Sequence, residues 1–204
     1  MKVTLRYILL FVVLAVSTLL AACAPSDLVI RPSYQPIGES KGAGGPLVVA
    51  SALETPAGHG GAERVQFVYG EVKDTDGKVM GSVVSQTSPT AVVRDALQME
   101  LLKAGYTVQV AQALPAGVEQ GVVLTAATVT LDEVSSLVKI EADCKVNLSL
   151  ELWKKGALVR RLTYGKNVSD FAVRDREQLH RQLLQKALGA VMKDATADLV
   201  KYLK

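Results

Sequence analysis

Cysteine and histidine are nearly missing, with two of each in 204 residues. That leaves almost no material for a protein-built metal site, which draws on three or four such ligands. A surplus of charge is missing too. There are 23 basic and 20 acidic residues, for a formal charge of +3. Loss of Lys2 and Arg6 with a cleaved leader leaves 21 basic against 20 acidic, so no polyanion-binding face is indicated and no nucleic-acid partner is expected. Internal repeats are absent, and low complexity is confined to one short stretch near the N-terminus. What is present is apolar material, 49% of the chain against 21% charged, so the composition is that of a folded domain. Removing residues 1–22 leaves 182, enough to bury a core without staples.

The N-terminus carries the sharpest pattern. Lys2 and Arg6 make a basic start, Tyr7 to Val16 is an unbroken apolar run, and Leu19-Leu20-Ala21-Ala22-Cys23-Ala24 ends it in small residues. This is the order of a secretory signal over 1–22. Tyr7 to Ala22 has 16 residues, short of the roughly 20 that a spanning helix needs. Leu20, Ala21, Ala22 and Cys23 resemble the lipobox of bacterial lipoproteins. The resemblance implies that the Cys23 thiol receives a diacylglycerol, that the chain is cut before it, and that the new amine is acylated. Several acyl chains exceed the single chain that anchors only marginally, so the attachment would be permanent. Ala24 stands where an Asp often signals inner-membrane retention in such proteins, which implies the outer membrane. The rival is ordinary cleavage after Ala24, since Ala22-Cys23-Ala24 also fits a small-x-small site. With Cys23 acylated, Cys144 has no partner in the chain and is expected to be buried.

Residues 23–45 read as the lipidated N-terminus and a tether, with Pro25, Pro32, Pro36 and a Gly-rich end. Within it, Leu28-Val29-Ile30 can add a strand or touch a partner. Residues 46–204 read as one periplasmic α+β domain. Leu47 to Ala50 is a short buried-strand candidate, and Val65 to Val72 and Lys78 to Val84 form a hairpin about Asp74-Thr75-Asp76-Gly77. Ser88-Pro89 opens a helix whose Val93, Leu97 and Leu101 share a face with Val92, Ala96 and Met99 beside them, and Gly105 closes it. Tyr106 to Ala111 and Gly121 to Leu131 are strands. Val138 to Leu152 alternates strictly, Val138, Ile140, Ala142, Cys144, Val146, Leu148, Leu150 and Leu152 pointing one way. Ala157 to Asn167 returns beside it, and Val173 to Leu203 is a final helix with Leu179, Leu183, Ala187 and Val191 on its stripe. The expected fold is an antiparallel sheet with two helices packed on one face.

Motifs that carry chemistry are weak. Asp74-x-Asp76-Gly77 has the start of a calcium loop without its later acidic ligands, so a turn is the better reading. Gly58-x-Gly60-Gly61 lacks the strand–loop–helix order of a phosphate cradle. Ser136-x-x-Lys139 has serine–lysine acylase spacing but heads a strand, where the two residues face opposite sides. His59 sits in the glycine loop, and His180 is placed on a solvated helix face near Glu177 and Arg181. Arg174, Arg176, Arg181 and Lys186, offset by Asp170, Asp175 and Glu177, read as a salt-bridged surface. Trp153, the only tryptophan, points away from the apolar row by strand parity, either under a neighbouring element or exposed for a partner.

The order of lipobox, tether, hairpin at Lys73 to Gly77, helix Val92 to Leu97 ending in Lys103-Ala104-Gly105-Tyr106, long paired strands and C-terminal helix resembles the YajG-like bacterial lipoproteins over about 65–203. That family brings no catalytic residues. A looser similarity reaches auxiliary lipoproteins of lipid transporters and the lipoprotein that plugs the lipopolysaccharide translocon. The expectation is an outer-membrane lipoprotein facing the periplasm, not an enzyme, with no metal or cofactor beyond the covalent lipid on Cys23, binding an envelope protein partner. The alternative is an auxiliary of lipid or lipopolysaccharide transport, with Trp153 or a cavity lined by Leu97, Leu101, Leu148 and Leu183 as the contact.

Overall fold

The structure, a computed structural model, describes residues 27–39, 41–51 and 66–204. The signal sequence with Leu20, Ala21, Ala22 and Cys23, and the glycine loop 56–61 with His59, lie outside the described residues. In chain order the elements are β1 (Leu28–Val29), β2 (Gly45–Ser51), β3 (Phe67–Asp74), β4 (Val79–Ser85), α1 (Pro89–Lys103), β5 (Tyr106–Ala111), β6 (Gln120–Ser135), β7 (Ile140–Lys154), β8 (Ala157–Ala172) and α2 (Arg176–Leu203).

The local signals work as read. Ser88 caps α1, its Oγ accepting from Ala91 N at 3.1 Å, with Pro89 in the first turn. Gly105 follows α1 with φ +99, a conformation that costs glycine little. At the β3–β4 turn, Asp74 Oδ1 accepts from the amides of Asp76 and Lys78, both at 2.9 Å, and Gly77 has φ +80. The carboxylate of Asp74 is therefore committed to closing a hairpin.

Among the described residues one eight-stranded sheet forms, with α1 and α2 packed on one face. The two helices on one face are as expected, while the strand pairing is mixed rather than antiparallel throughout. The run β6–β7–β8 and the pair β3–β4 are antiparallel, but β1–β4, β2–β5, β2–β6 and β3–β6 are parallel. Parallel neighbours need a crossover, and the chain between β2 and β5 supplies one that includes α1. Leu47-Val48-Val49-Ala50 is a continuous apolar run, as suits a strand covered within a parallel pairing.

The long strand β6 organises the sheet. One edge pairs with β7 along its whole length, from Gln120 to Ser135. The other edge is shared: Gly121 to Leu124 pair with β2, and Glu133 to Ser135 pair with β3. The sheet thus divides into two wings beside β6, with a bulge in β3 between Val68 and Gly70. Gly70 sits at this junction. A Cβ placed there would lie 2.1 Å from Leu131 O and 2.6 Å from Leu131 C, so only glycine lets β3 pass this close to β6.

The helix-facing side chains of β7 are Ala142, Cys144, Val146, Leu148, Leu150 and Leu152, all buried, packed with Leu183, Ala187 and Val191 of α2 and Leu97 and Leu101 of α1 in one core. Burial pushes the Cys144 thiol up to about 12, so the unpaired cysteine is chemically quiet. Three sequence expectations shift. Val138 precedes β7 and is exposed, because Ser136 and Lys139 close a tight turn through their backbone and the Ser136 hydroxyl. The second helix starts at Arg176 rather than Val173, because Asp175 takes φ +63 and caps Gln178 N at 3.0 Å. On α1 the stripe turns through Glu100, buried, while Met99 is exposed.

Gly70→Ala should cost about 2–3 kcal/mol, because two backbones, not a flexible side chain, must yield. Urea denaturation reads this directly. A loss under about 0.5 kcal/mol, the range of neutral surface changes, would contradict the close approach.

Candidate functional site

The described chain begins at Asp27, and its first stretch lies on the domain. Asp27 Oδ1 accepts from Ser82 N at 3.0 Å, β1 pairs with Val83 and Val84 of β4, and Ile30 is buried. The strand foreseen at Leu28 to Ile30 is thus formed. Beyond it, the chain crosses both helices. Gln185 of α2 holds Gln35 through its backbone N–H and carbonyl, at 2.8 and 2.7 Å. Lys103 of α1 donates to Pro36 O at 3.0 Å.

Glu100 is the main clasp of this strap. Its carboxylate accepts from Tyr34 Oη at 2.5 Å, Ile37 N at 2.7 Å and Gly38 N at 2.9 Å. Three donors replace the water that a buried carboxylate loses. Burial, and then the hydrogen bond to Glu100, raise the pKa of the Tyr34 phenol, which stays a donor. The fit is close: a Cβ on Gly38 would meet Glu100 Oε2 at 2.2 Å, and one on Gly42 would meet the Tyr106 ring at 2.3 Å.

A second buried carboxylate pins α2 to the sheet. Glu133 on β6 has a fully buried side chain, and His180 is 2% exposed. Glu133 Oε2 accepts from Arg176 Nε at 2.6 Å, and His180 Nε2 lies 2.9 Å from the same oxygen. This corrects the placement of His180 on a solvated face. His180 is one turn before Leu184 and two before Leu188, so it falls on the buried stripe. Burial opposes ionisation of Glu133, but His180 and Arg176 outweigh it and hold its carboxyl below the ordinary range. Glu133 Oε1, Arg176 Nη2 and both ring nitrogens of His180 find no hydrogen-bond partner among the described residues, so the 2.9 Å approach of His180 to Glu133 is a charge contact rather than an aligned hydrogen bond. The arrangement fixes the first turn of α2 through charge and is walled off from solvent at the carboxylate and the imidazole. Beside it, Arg176 also borders an open hollow of about 430 Å³ with Asp74, Met80, Ser136 and Leu137.

The other predicted residues are scattered. Leu97, Leu101, Leu148 and Leu183 are fully buried core positions. Trp153 is half-buried near a bulge, its indole N–H donating to Glu151 Oε2 at 3.2 Å. Ser136 serves the β6–β7 turn, and Lys139 Nζ meets Glu141 at 2.6 Å. The expected surface pairs form at Lys186–Asp170 (2.7 Å) and Arg181–Glu177 (2.8 Å). Among the described residues no three His, Cys, Asp or Glu side chains are grouped to hold a metal, and no helix is long and apolar enough to cross a membrane.

No family model and no curated protein matches the chain. Solved structures with a similar arrangement include protein XCC0632 from Xanthomonas campestris, described under the family-model name DUF330, with TM-score 0.45, 11% identity, and coverage of 86% of this chain and 95% of that one. A minor lipoprotein from Acinetobacter baumannii gives TM-score 0.39 at 8% identity, covering 78% of this chain and 89% of that one. Rare lipoprotein B from Shewanella oneidensis gives 0.37 at 12% identity, covering 66% and 98%.

Glu133 has a folded pKa below its unfolded value of about 4.3. Its contribution to stability is therefore complete above the unfolded pKa and is lost as pH falls through the folded one. Glu133→Gln, which leaves Arg176 and His180 facing an amide, should cost about 3–5 kcal/mol at pH 7. The gap between wild type and variant should narrow as pH drops below about 4. Urea titrations at pH 7 and pH 3 measure it, and a gap independent of pH would rule out the charged cluster.

Proposed function

We propose that this chain is a lipoprotein of the bacterial outer membrane, of the YajG-like kind, held by acyl chains on Cys23 and facing the periplasm. Its role is that of a non-catalytic binding or assembly partner for an envelope protein. The observation that carries the reading is Cys23 behind Leu20, Ala21 and Ala22, at the end of a basic-then-apolar leader too short to span. The geometry is compatible with a role through surfaces rather than through a reaction. The buried Glu133–His180 pair is committed to holding α2, and Asp74, Ser136 and Lys139 are committed to turns and a surface ion pair. A lipid-carrying role would need the core to open, since Leu97, Leu101, Leu148 and Leu183 lie in its closed interior. The partner reading needs no such opening.

Cys23→Ser should abolish incorporation of labelled palmitate and release the protein from the membrane fraction. Retention of label or of membrane attachment in that variant would overturn the anchor.

A further inference from the structure

One end of the domain exposes aliphatic and aromatic side chains from three neighbouring pieces of chain. The β6–β7 turn carries Leu137 and Val138 at its apex, 105% and 72% exposed. Turn apices favour Gly, Asn and Asp, so two bare aliphatic residues are out of place in water. They are held rigidly: Ser136 N donates to Lys139 O at 2.9 Å, and Lys139 N donates to Ser136 Oγ at 3.0 Å. Beside this turn, Asp74 pairs with Ser135, which brings up the β3–β4 hairpin with exposed Val79 and Met80. On the other side Ile140 pairs with Ala172 and Glu141 with Phe171, bringing Phe171 and Val173, 63% and 69% exposed.

The chain enters the domain at this same end. Strand β4 runs away from its hairpin turn, and β1 is parallel to it, with Leu28 opposite Val83. Going backwards from Leu28 therefore leads toward the turn. Asp27 is bonded to Ser82, three residues into β4 from Val79. Only residues 24–26 separate Asp27 from Cys23, and four residue steps reach at most about 14 Å. The acyl chains that the proposed function assigns to Cys23 therefore enter their bilayer at the end of the sheet that carries Val79, Met80, Leu137 and Val138, with Phe171 at the same end on the opposite edge strand.

We infer that these tips are a membrane-seating surface, rooted in the leaflet that holds the acyl chains of Cys23. This rests on the lipoprotein reading and goes beyond it. The anchor is then a short leash of three residues, not a standoff tether, because Asp27 is bonded to Ser82 and β1 is paired with β4. The domain stands with the β6–β7 apex down and the Lys154–Gly156 turn pointing away. Lys78 and Arg174 are exposed at the rim, where cations reach headgroups, while Lys139 is paired with Glu141 and Asp76 adds a negative charge. The contact is apolar in character and does not select anionic lipid.

The full lipidated chain, carrying Leu137→Cys or Lys155→Cys labelled with an environment-sensitive dye, tests this in phosphatidylethanolamine–phosphatidylglycerol vesicles. Both sites are exposed, and Cys144 is buried and does not compete. The expected result is a blue-shifted emission at 137, quenched several-fold by spin-labelled lipid, with 155 unchanged. If the chain floats with the vesicles but 137 is as wet as 155, the seating is overturned and the anchor stands. If 137 is dry but escapes lipid quencher, and dries only with a second copy present, the surface is an interface between copies and the seating is again overturned. A chain that does not float at all overturns both the anchor and the seating.

Discussion

The sharing of one strand between two wings is the constraint on which the structure depends. Strand β6 gives one edge to β7 over its whole length and divides the other between β2 and β3. A strand buried this way needs apolar side chains at alternate positions toward the helices, which Val122, Leu124, Val129 and Leu131 supply. It also needs close approach where the wings part, which Gly70 permits. Glu133, next in that parity, converts the end of the same strand into a socket for Arg176 and His180 and so sets where α2 begins. Both helices, and the strap across them, take their position from this strand.

Two buried carboxylates then play parallel parts. Glu133 accepts from Arg176 and lies beside the His180 ring of α2, and Glu100 accepts from backbone amides and a phenol of the strap. A buried carboxylate is costly unless it is satisfied, so each one rejects alternative placements of the piece that satisfies it. The first holds helix to sheet. The second holds 34–38 to α1.

Much of this was legible because it is local. The caps at Ser88 and Gly105, the turn at Asp74, and the alternation through β7 are each written within a few neighbouring residues. Strand direction was not legible, because alternation reports which face a side chain takes and says nothing of the neighbouring strand's sense. Glu133 lies beyond the stretch Gly121 to Leu131 that the sequence pattern marks as a strand, although an acidic residue two positions on, in buried parity, is the signal that a buried partner exists. His180 is the matching half, polar on a helical stripe of leucines. Glu100 hides in the same way between Leu97 and Leu101. Val138 looked like the first member of an apolar row, and only the closed turn at Ser136 shows that it lies outside the strand.

The account stands on the covalent state of the mature N-terminus. Mass spectrometry of the first proteolytic peptide from membrane-purified protein tests it most directly. The account predicts a peptide that begins at Cys23 and carries the mass of a diacylglycerol plus a third acyl chain. A peptide that begins at Pro25, unmodified, would contradict it.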